Sequence, residues 1–518
     1  MGSPRRGHRS FPFFLRHGGR LPFFFFLLLS FPGVGGVGRE ASPIPWPIPI
    51  DWTWDPGRFE HRIDVGPGYP FETPSEVPWE GLTGGTLVRI HARPEPYRDK
   101  WVIGTVATAQ APLVVLGVPD RTGNLPIVSG EDAVTRSRLD YWNEARSLLK
   151  IGGSNAPHSG IPTWIVVEGI EFRRARPPFS FIDARGRRRT YAQNAAALHI
   201  ETGVRIAIRK CRIHDSANGI FASHGSRDLL VQGNHIFGNG LPGSIYAHGA
   251  YTESLGIRYE FNRFSPPCPG CGGNGLKDRS AGTVIRFNTI EGGNRLLDLV
   301  ESTHPEITGD PTYRETFVYG NILITGGEGE EEIIHYGGDG PRRQAYRAGT
   351  LYFYHNTVIS RRCGRTTLLL LSSSRASALL FGNVVFLTKG KGRLGIVRGG
   401  GEVTLVENWL PAGWRGTFSL FSGSSVRSEG NLTGTDPGFL NPGEGDFHLR
   451  PDSPCIDRVT FQPAVLSRYP LTWQYRKEQR GEPRNDPPPC DIGAYAAKGR
   501  TKPTSPPPRE SSAEGRTE

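Results

Sequence analysis

Short apolar segments separated by turns recur through the middle of the chain, and apolar and polar residues alternate within each segment. This two-residue period is typical of β-strands, and no apolar stripe of helical period links the segments. After each turn an aromatic or apolar pair surrounds an asparagine, giving the series Asn234, Asn262, Asn288, Asn321, Asn356, Asn383 and Asn408. Cys211 occupies the same place one turn earlier, and the spacings of 23 to 35 residues are typical of one supersecondary unit per repeat.

The repeat predicts an all-β fold, a right-handed parallel β-helix with capping segments at both ends. The units are too short for a propeller blade of four strands, whereas two or three short strands fit one coil of a solenoid. Equivalent side chains of successive coils then lie about 4.8 Å apart. An asparagine at a tight turn can hydrogen-bond the neighbouring coils and tolerates a left-handed backbone, so the recurring asparagines are predicted to form a ladder.

The composition of the flanking segments suggests how the chain is organised. We predict a secretion signal over 1–40, N-terminal strands and a cap over 41–160, coils over 161–430, a closing segment over 431–497 and a disordered tail over 498–518. The signal rests on the apolar run Leu21–Phe31, which follows a basic segment and is too short to span a bilayer. We therefore expect a secreted, periplasmic or cell-surface protein without a stable membrane span, with a membrane-tethering anchor as the alternative.

The distribution of charge along the chain indicates which kinds of polymer the protein could bind. The net charge is +11, of which +5 lies in residues 1–38 and +2 in 498–518, leaving +4 for the rest. That remainder is compatible with an acidic polymer, and no basic block interleaved with aromatic residues points to nucleic acid.

Cys268 and Cys271 form a lone CPGC motif that predicts a local disulfide, Cys455 and Cys490 are candidates for a second one, and Cys211 is expected to be a buried thiol.

A column of polar residues is predicted on one outer face of the coils. Lys277, Asp298 and His335 each follow an apolar residue that should point inward, so they should point outward from three consecutive coils. His248 or Tyr251 is expected in the same column one coil earlier. The column would extend about 15 Å, enough for a few sugar units. The ordinary alternative is a set of structural ion pairs on a solvated face.

An acidic polysaccharide cleaved by β-elimination would require three functions from this face. The uronate carboxylate must be neutralised, a base must remove the C5 proton, and a group must assist departure of the 4-oxygen. Lys277 is the predicted base if burial or positive neighbours lower its pKa, and His335, His248 or Tyr251 would transfer the second proton. The remaining candidates are a Ca²⁺ site formed by Asp278, Asp298 and Glu301, and substrate-binding residues Tyr251, Arg279, Arg295, Tyr336 and Tyr246.

Two other functions remain open from the sequence. A glycoside hydrolase needs two carboxylates on either side of the scissile bond, and Asp278 with Asp298, or Asp298 with Glu301, could supply them. A carbohydrate-binding surface protein without catalysis would need aromatic platforms but no base. His304 and Tyr313 are assigned to loop packing or to substrate subsites. A monomer is expected in each case, with a polysaccharide as the partner.

The chain also resembles a known group of proteins. The asparagine coils and the ending DPGF…GDFHLRPDSPCID…DIGAY, over roughly residues 60–495, resemble secreted bacterial parallel β-helix proteins of the pectate-lyase-like superfamily. That resemblance implies the β-helix fold and polysaccharide degradation. The segment NGLKDRSAGTVIRFNT resembles the part of alginate-lyase and chondroitinase-B-like proteins that contains their catalytic lysine, which would be Lys277 here. Val300 stands where those enzymes have an arginine.

Overall fold

A computed structural model describes residues 42–157, 160–327, 332–390, 392–419 and 423–497. The predicted secretion signal and C-terminal tail lie outside these residues. The described residues from Pro43 onward belong to one compact unit. Its strands form three long parallel ladders, which we name A, B and C, and successive coils add one strand to each ladder.

Ladders A and B share four long strands that turn a corner between them. These shared strands are Ala196–Arg209, Asn218–Gln232, Ala250–Glu260 and Arg393–Val406. Ladder A also contains His61–Val65, Thr86–His91, Leu113–Val118, Thr163–Glu168, Ala281–Arg286, Glu315–Tyr319, Thr350–Tyr354, Ser377–Phe381 and Gly423–Glu429. Ladder B also contains Asp99–Ile103, Ser147–Ile151, Leu276–Asp278, Leu297–Leu299, Glu332–Tyr336 and Arg365–Leu371.

Ladder C is built from shorter strands, and from His235 onward each of them follows an asparagine turn. Its members are Ile127–Ser129, Glu171–Arg173, Arg212–His214, His235–Phe237, Arg263–Phe264, Thr289–Glu291, Ile322–Ile324, Thr357–Ser360, Val384–Leu387, Trp409–Pro411 and Leu432–Gly434. Every pairing between neighbouring coils in the three ladders is parallel. The predicted parallel β-helix is therefore confirmed, with three short strands per coil and with ladder strands that begin at His61, before residue 161.

The remaining elements are short. The other strands are Ala133–Thr135, Asp140–Tyr141, Ser154–Ala156, Ser180–Ile182, Arg188–Thr190, Phe439–Asn441, Asp446–Leu449, Trp473–Arg476 and Arg480–Pro483. Within the described residues the two α-helices are Pro305–Thr308 and Val465–Arg468. Single 3₁₀ turns span Pro56–Arg58, Pro74–Glu76, Trp79–Gly81, Glu144–Arg146, Pro311–Arg314, Arg343–Ala345 and Pro442–Glu444. None of the helices in the described ranges has the length and apolar character needed to cross a bilayer.

The predicted asparagine ladder lies between ladders A and C. Each asparagine after Asn234 accepts, through its side-chain oxygen, the backbone N–H and the side-chain amide of the asparagine one coil earlier, as Asn321 does from Asn288 at 2.9 Å for both bonds. The series continues one coil beyond the predicted seven, to Asn431, and Cys211 donates its N–H to Asn234. The left-handed residue is the one before each asparagine, such as Phe287 with φ 54°, rather than the asparagine itself.

The two ends of the described chain cover the outside of ladder A. Residues 43–59, which we name the N-terminal strap, pack their apolar side chains on the outward residues of the early coils, including Leu87, Val166 and Leu230. Residues 461–475, the C-terminal strap, pack on Phe317, Tyr354 and other residues of later coils. The closing segment adds Phe439, Phe447 and Ile492 against the outer side of ladder C. Polar clusters occur on the outer side of ladder A, where Glu168, Arg209, Gln232, Glu260 and Arg286 pair on successive coils, and on the outer side of ladder B, where Lys277 pairs with Asp298.

The cysteine predictions have mixed outcomes. Cys268 and Cys271 form the predicted local disulfide, and Cys211 is the expected buried thiol. The suggested pairing of Cys455 with Cys490 is wrong, because Cys490 lies opposite Val459 in an antiparallel bridge and its thiol donates to the carbonyl of Asp486.

Candidate functional site

Four residues of neighbouring coils align in the outward column of ladder B. The strand register pairs Tyr251 with Lys277, Lys277 with Asp298, and Asp298 with His335. The residues before them, Ala250, Leu276, Leu297 and Ile334, point inward and belong to the core. The alternation of each strand thus places the polar side chains on one outer face, with Tyr251 rather than His248 in the first position.

Lys277 is enclosed by two carboxylates. Its ammonium group donates to Asp298 at 2.5 Å and to Asp339 at 2.8 Å, and the side chain is 8% exposed. Burial lowers the pKa of Lys277, but the charges of Asp298 and Asp339 outweigh it and hold the pKa above its usual value. The condition under which Lys277 would act as a base, a lowered pKa, is not met in this arrangement, and the side chain is a fixed cation.

Asp298 connects Lys277 to a second hydrogen-bonded chain. Its other oxygen lies 2.9 Å from Nδ1 of His335, and Nε2 of His335 lies 2.6 Å from the hydroxyl of Ser372 on the next coil. Burial raises the pKa of Asp298, but the hydrogen bond of His335 and the charge of Lys277 outweigh it, so the pKa is held well below the usual range. Asp298 is therefore a carboxylate that fixes the His335 ring, with Nε2 directed at Ser372.

Arg279 brings a second cation to Asp339. Its guanidinium donates to the Tyr251 oxygen at 3.0 Å and to the backbone carbonyl of Glu301, and lies 3.5 Å from Asp339. The charges of Tyr251, Asp339 and Glu301 outweigh burial and raise the pKa of Arg279. Asp339, whose side chain is 41% exposed, thus lies between Lys277 and Arg279 at the surface of the site.

Glu301 fixes the loop that contains Asp339. Its two oxygens accept the backbone N–H of Asp339 at 3.0 Å and of Gly340 at 2.8 Å. A side chain at position 340 would collide with Glu301, since an added Cβ would lie 2.4 Å from its oxygen. The backbone of the loop is anchored, while the carboxylate of Asp339 remains at the surface.

Two of the predicted site residues point into the core. Asp278 is fully buried and accepts hydrogen bonds from the hydroxyls of Thr252, Ser280 and Thr283, and its carboxylate pairs with Arg347 at 3.3 Å. Tyr336 is also fully buried, so its side chain does not reach a substrate on the outer face. The same alternation that turns Lys277 outward turns Asp278 inward, because they are neighbours in one strand.

The other predicted site residues lie around the column. His248 is buried, its Nδ1 accepts the N–H of Asn274, and burial together with the charge of Lys277 lowers its pKa to about 3. Arg295 lies 3.8 Å from Asp298 and 3.7 Å from Glu332. Tyr246 is 79% exposed in the loop before the column. Because Asp278 points inward and Glu301 binds backbone N–H groups, the predicted Ca²⁺ ligands do not share one face, and that cofactor stays a prediction.

The sequence pattern does not predict that Asp339 and Ser372 belong to the site. Asp339 belongs to a glycine-rich insertion whose length indicates a groove wall but does not show which side chain turns back onto Lys277. Ser372 follows the apolar run Leu368–Leu371, which contains no charged residue. Its signal is positional, since Tyr336 pairs with Leu371 and the next residue therefore lies beside the coil of His335.

Comparison with protein-family models and with curated proteins gives no match. Among solved structures, pectate lyase Pel9A matches with 10% identity and a TM-score of 0.41, over 85% of this chain and 97% of that chain. The native GH136 lacto-N-biosidase from Eubacterium ramulus matches with 10% identity and a TM-score of 0.44, over 73% and 68%. The alginate lyase of Paenibacillus sp. str. FPU-7 matches with 11% identity and a TM-score of 0.31, over 72% and 98%. At this level of identity the likeness concerns the fold alone.

Proposed function

We propose that the protein is a secreted enzyme that cleaves uronate-containing polysaccharides by β-elimination on the outer face of ladder B. The observation that supports it is the position of Asp339, whose carboxylate lies between the ammonium group of Lys277 and the guanidinium group of Arg279. A carboxylate held by two cations is the arrangement that a uronate needs when negative charge develops next to it. Asp339 would occupy the position of the substrate carboxylate in the free enzyme.

The proposed roles follow from the contacts of each group. Lys277 and Arg279 bind the uronate carboxylate after the side chain of Asp339 turns away, and they stabilise the charge that forms when the C5 proton is removed. Tyr251 transfers protons, since the hydrogen bond from Arg279 holds its oxygen beside the proposed carboxylate site. The C5 proton passes to Tyr251, and the electron pair of the C5–H bond forms the C4–C5 double bond. The bond to the 4-oxygen breaks with its electron pair on that oxygen, which then takes a proton from Tyr251. Asp298, oriented by His335, keeps Lys277 in place.

The geometry gives less support to a glycoside hydrolase that uses the predicted carboxylate pairs. Such an enzyme needs one protonated carboxyl group beside one carboxylate. Asp298 has a lowered pKa and is held ionised, and Asp278 is inside the coil stack. Neither side chain is placed to donate a proton to a glycosidic oxygen.

A product assay tests the proposed elimination. The purified full chain is incubated with alginate, pectate, glycosaminoglycans and neutral glycans, and the ultraviolet absorbance of unsaturated uronate ends is followed. We expect absorbance with at least one uronate polymer and none with neutral glycans. Lys277→Met should abolish it, whereas Lys389→Met, which removes an exposed lysine elsewhere, should not. New reducing ends without this absorbance, or full activity of Lys277→Met, would contradict the proposal.

The chain from Asp298 through His335 to Ser372 favours a second candidate, hydrolysis of acyl esters on a polysaccharide. A serine, a histidine and a carboxylate in this order form an activated nucleophile in many unrelated folds. In such a reaction the Ser372 oxygen adds to the ester carbonyl while its proton moves to His335. The alcohol leaves with that proton, and water then releases the acid from Ser372.

The two candidates are separable by their variants. Ser372→Ala should abolish release of acetate from acetylated pectin or xylan if the serine is a nucleophile, while leaving elimination within tenfold of the parent chain. Ser373→Ala, at the adjacent serine, is the matched control. Acetate release that survives in Ser372→Ala would remove the esterase candidate and leave the proposed lyase untouched.

A further inference from the structure

We propose a second site, separate from the column, in which His224, Glu253 and His304 bind one divalent transition-metal ion, with Zn²⁺ as the best match. The nitrogen and oxygen atoms that these three residues offer all lie within 4.8 Å of one another. His224 and Glu253 lie on successive coils at the corner where ladder B passes into ladder A. His304 comes from the loop directly before the helix Pro305–Thr308.

The donor set fits zinc better than calcium or magnesium. Two imidazoles with one carboxylate form a three-ligand zinc set that leaves a position for water or substrate, whereas calcium and magnesium require mainly oxygen ligands. All three side chains are accessible, and the side chain of His224 is 45% exposed. An ion can therefore reach the site from solvent.

The surrounding groups orient the ligands as outer partners do in known metal sites. The hydroxyl of Ser302 donates to one oxygen of Glu253 at 2.5 Å, and the other oxygen lies 3.8 Å from Nε2 of His304. Nδ1 of His304 faces Glu306 at 3.8 Å. A carboxylate beside the second nitrogen of a ligating histidine fixes its tautomer and increases its basicity.

Metal binding requires a small local rearrangement. The rings of His224 and His304 are stacked, with centroids 3.6 Å apart and planes 10° from parallel. The lone pairs of two parallel rings cannot both point at one ion, so the rings must turn apart around it. Ligand atoms on a tetrahedral zinc are about 3.4 Å apart, given zinc–ligand distances near 2.0–2.2 Å. The exposed ring of His224 would turn out of the stack to bring the three ligand atoms to that separation.

The proposed ion would connect the corner of two coils to the loop that follows Glu301. That loop runs from Glu301, which anchors the Asp339 segment, through Ser302 to His304. Metal binding should therefore reduce the opening of residues 301–308. This consequence is measurable by hydrogen exchange and does not depend on any catalytic assay.

Equilibrium dialysis of the chelator-treated full chain, followed by metal analysis, tests the site. We expect one Zn²⁺ per chain and no comparable binding of Ca²⁺ or Mg²⁺. Glu253→Gln and His224→Asn should each weaken Zn²⁺ binding at least tenfold. Glu429→Gln and His61→Asn, which change exposed residues elsewhere, should bind as the parent chain does.

Two further readouts distinguish a metal site from simple ion pairs. Co²⁺ in place of Zn²⁺ should give the visible absorption of a four-coordinate complex, and Zn²⁺ should slow hydrogen exchange over residues 301–308. Unchanged Zn²⁺ affinity in both His224→Asn and Glu253→Gln would overturn the proposal and leave only ion pairs between histidines and glutamates. If one variant folds poorly by circular dichroism, the other decides, because the two ligands come from different coils.

Discussion

The asparagine turn and the outer face of ladder B both stack equivalent positions of successive coils, but the turn repeats one residue type and the face does not. At the turn, one residue type is repeated on eight successive coils from Asn234 to Asn431, with nearly constant hydrogen bonds. On ladder B, the outward position changes with almost every coil, and reads His199, Phe221, Tyr251, Lys277, Asp298, His335 and Leu370 in register.

We infer from this difference that the asparagine turn stabilises the fold, whereas the outer face of ladder B carries the proposed chemistry. Identical residues in register satisfy one another, since each amide is both donor and acceptor, and every coil gains the same stabilisation. Different residues in register form cation–carboxylate and histidine–hydroxyl contacts that occur on only one or two coils. A substitution in the turn should therefore reduce the free energy of unfolding and have little effect on activity. A substitution in the column should reduce activity and have little effect on the free energy of unfolding.

The largest expected effect is on catalysis. Tyr251→Phe should lower kcat for the uronate polymer by about 10²–10⁴, since it removes the proposed proton-transfer group. The free energy of unfolding should change by less than about 1 kcal/mol because the ring is retained. Steady-state kinetics and urea denaturation measure the two quantities. Tyr69→Phe, at an exposed tyrosine, is the control, and a kcat for Tyr251→Phe within threefold of the parent would refute the assigned role.

The next effect is on stability. Asn321→Ala leaves the backbone N–H of Asn288 without its acceptor inside the coil stack, and it removes the donor that Asn321 provides to the carbonyl of Ile285 and to the side-chain oxygen of Asn356. Each buried unsatisfied group costs about 1–3 kcal/mol, so we expect a loss of about 2–4 kcal/mol in urea denaturation. Asn155→Ala, at an exposed position, should cost less than about 0.5 kcal/mol. A large loss of kcat in the folded Asn321→Ala protein would break the division between scaffold and site.

Two buried histidines, one in each region, should make the free energy of unfolding decrease in acid. Burial lowers the pKa of both His248, beside the column, and His355, in the asparagine turn, to about 3. A group with a lowered basic pKa binds its proton first in the unfolded chain, so stability falls as pH decreases from the ordinary histidine pKa toward that of the folded state. Between about pH 6 and pH 4 each contributes up to one proton to this slope.

The measurement for this prediction is urea denaturation at several pH values. Replacing His248 with Gln should reduce the slope of unfolding free energy against pH by at most about 1.4 kcal/mol per pH unit. Asn155→Gln, at an exposed position without a titrating side chain, should leave the slope unchanged. An unaltered slope in His248→Gln would show that this histidine also takes up its proton in the folded state.

The smallest effect concerns the exposed carboxylate. If Asp339 occupies the place of the substrate carboxylate, Asp339→Asn removes a competitor and should lower KM for a uronate polymer severalfold at unchanged kcat. Asp452→Asn, at an exposed aspartate of the closing segment, should leave KM unchanged. A raised KM in Asp339→Asn would mean that the carboxylate itself contributes to substrate binding, and the proposed displacement would be wrong.

The sequence predicted the fold and part of the column because both depend on local periods. The asparagine spacing marks the turns, and the alternation of each strand predicts that Lys277, Asp298 and His335 share a face, as the register shows. Alternation also turns Asp278 inward, but a buried carboxylate is unfavourable without a partner. That partner, Arg347, lies 69 residues later in the chain, beyond the reach of any local pattern.

The contacts of Asp339 and Ser372 depend on geometry that the sequence does not encode locally. The loop of Asp339 folds back onto the coils, and contacts of its backbone with Glu301 and Tyr346 determine which side chain faces Lys277. Ser372 comes close to His335 because two coils have matching strand lengths up to that point. The roles of the other predicted site residues stay predictions until variants are measured.

The straps at the two ends have a consequence for how this fold can evolve. The N-terminal strap is hydrogen-bonded to particular coils, through Arg209 to Pro49 and through Gln232 to Ile48, and the chain after the C-terminal strap returns to Thr357 and Gly382. A solenoid without such ties can gain or lose a repeat with little penalty. Here, deletion of one coil would shift the anchor points of the strap that crosses it by about 4.8 Å. Because the straps are tied to particular coils, they restrict changes in the number of coils. They thereby also restrict changes in the length of the face available to a polymer.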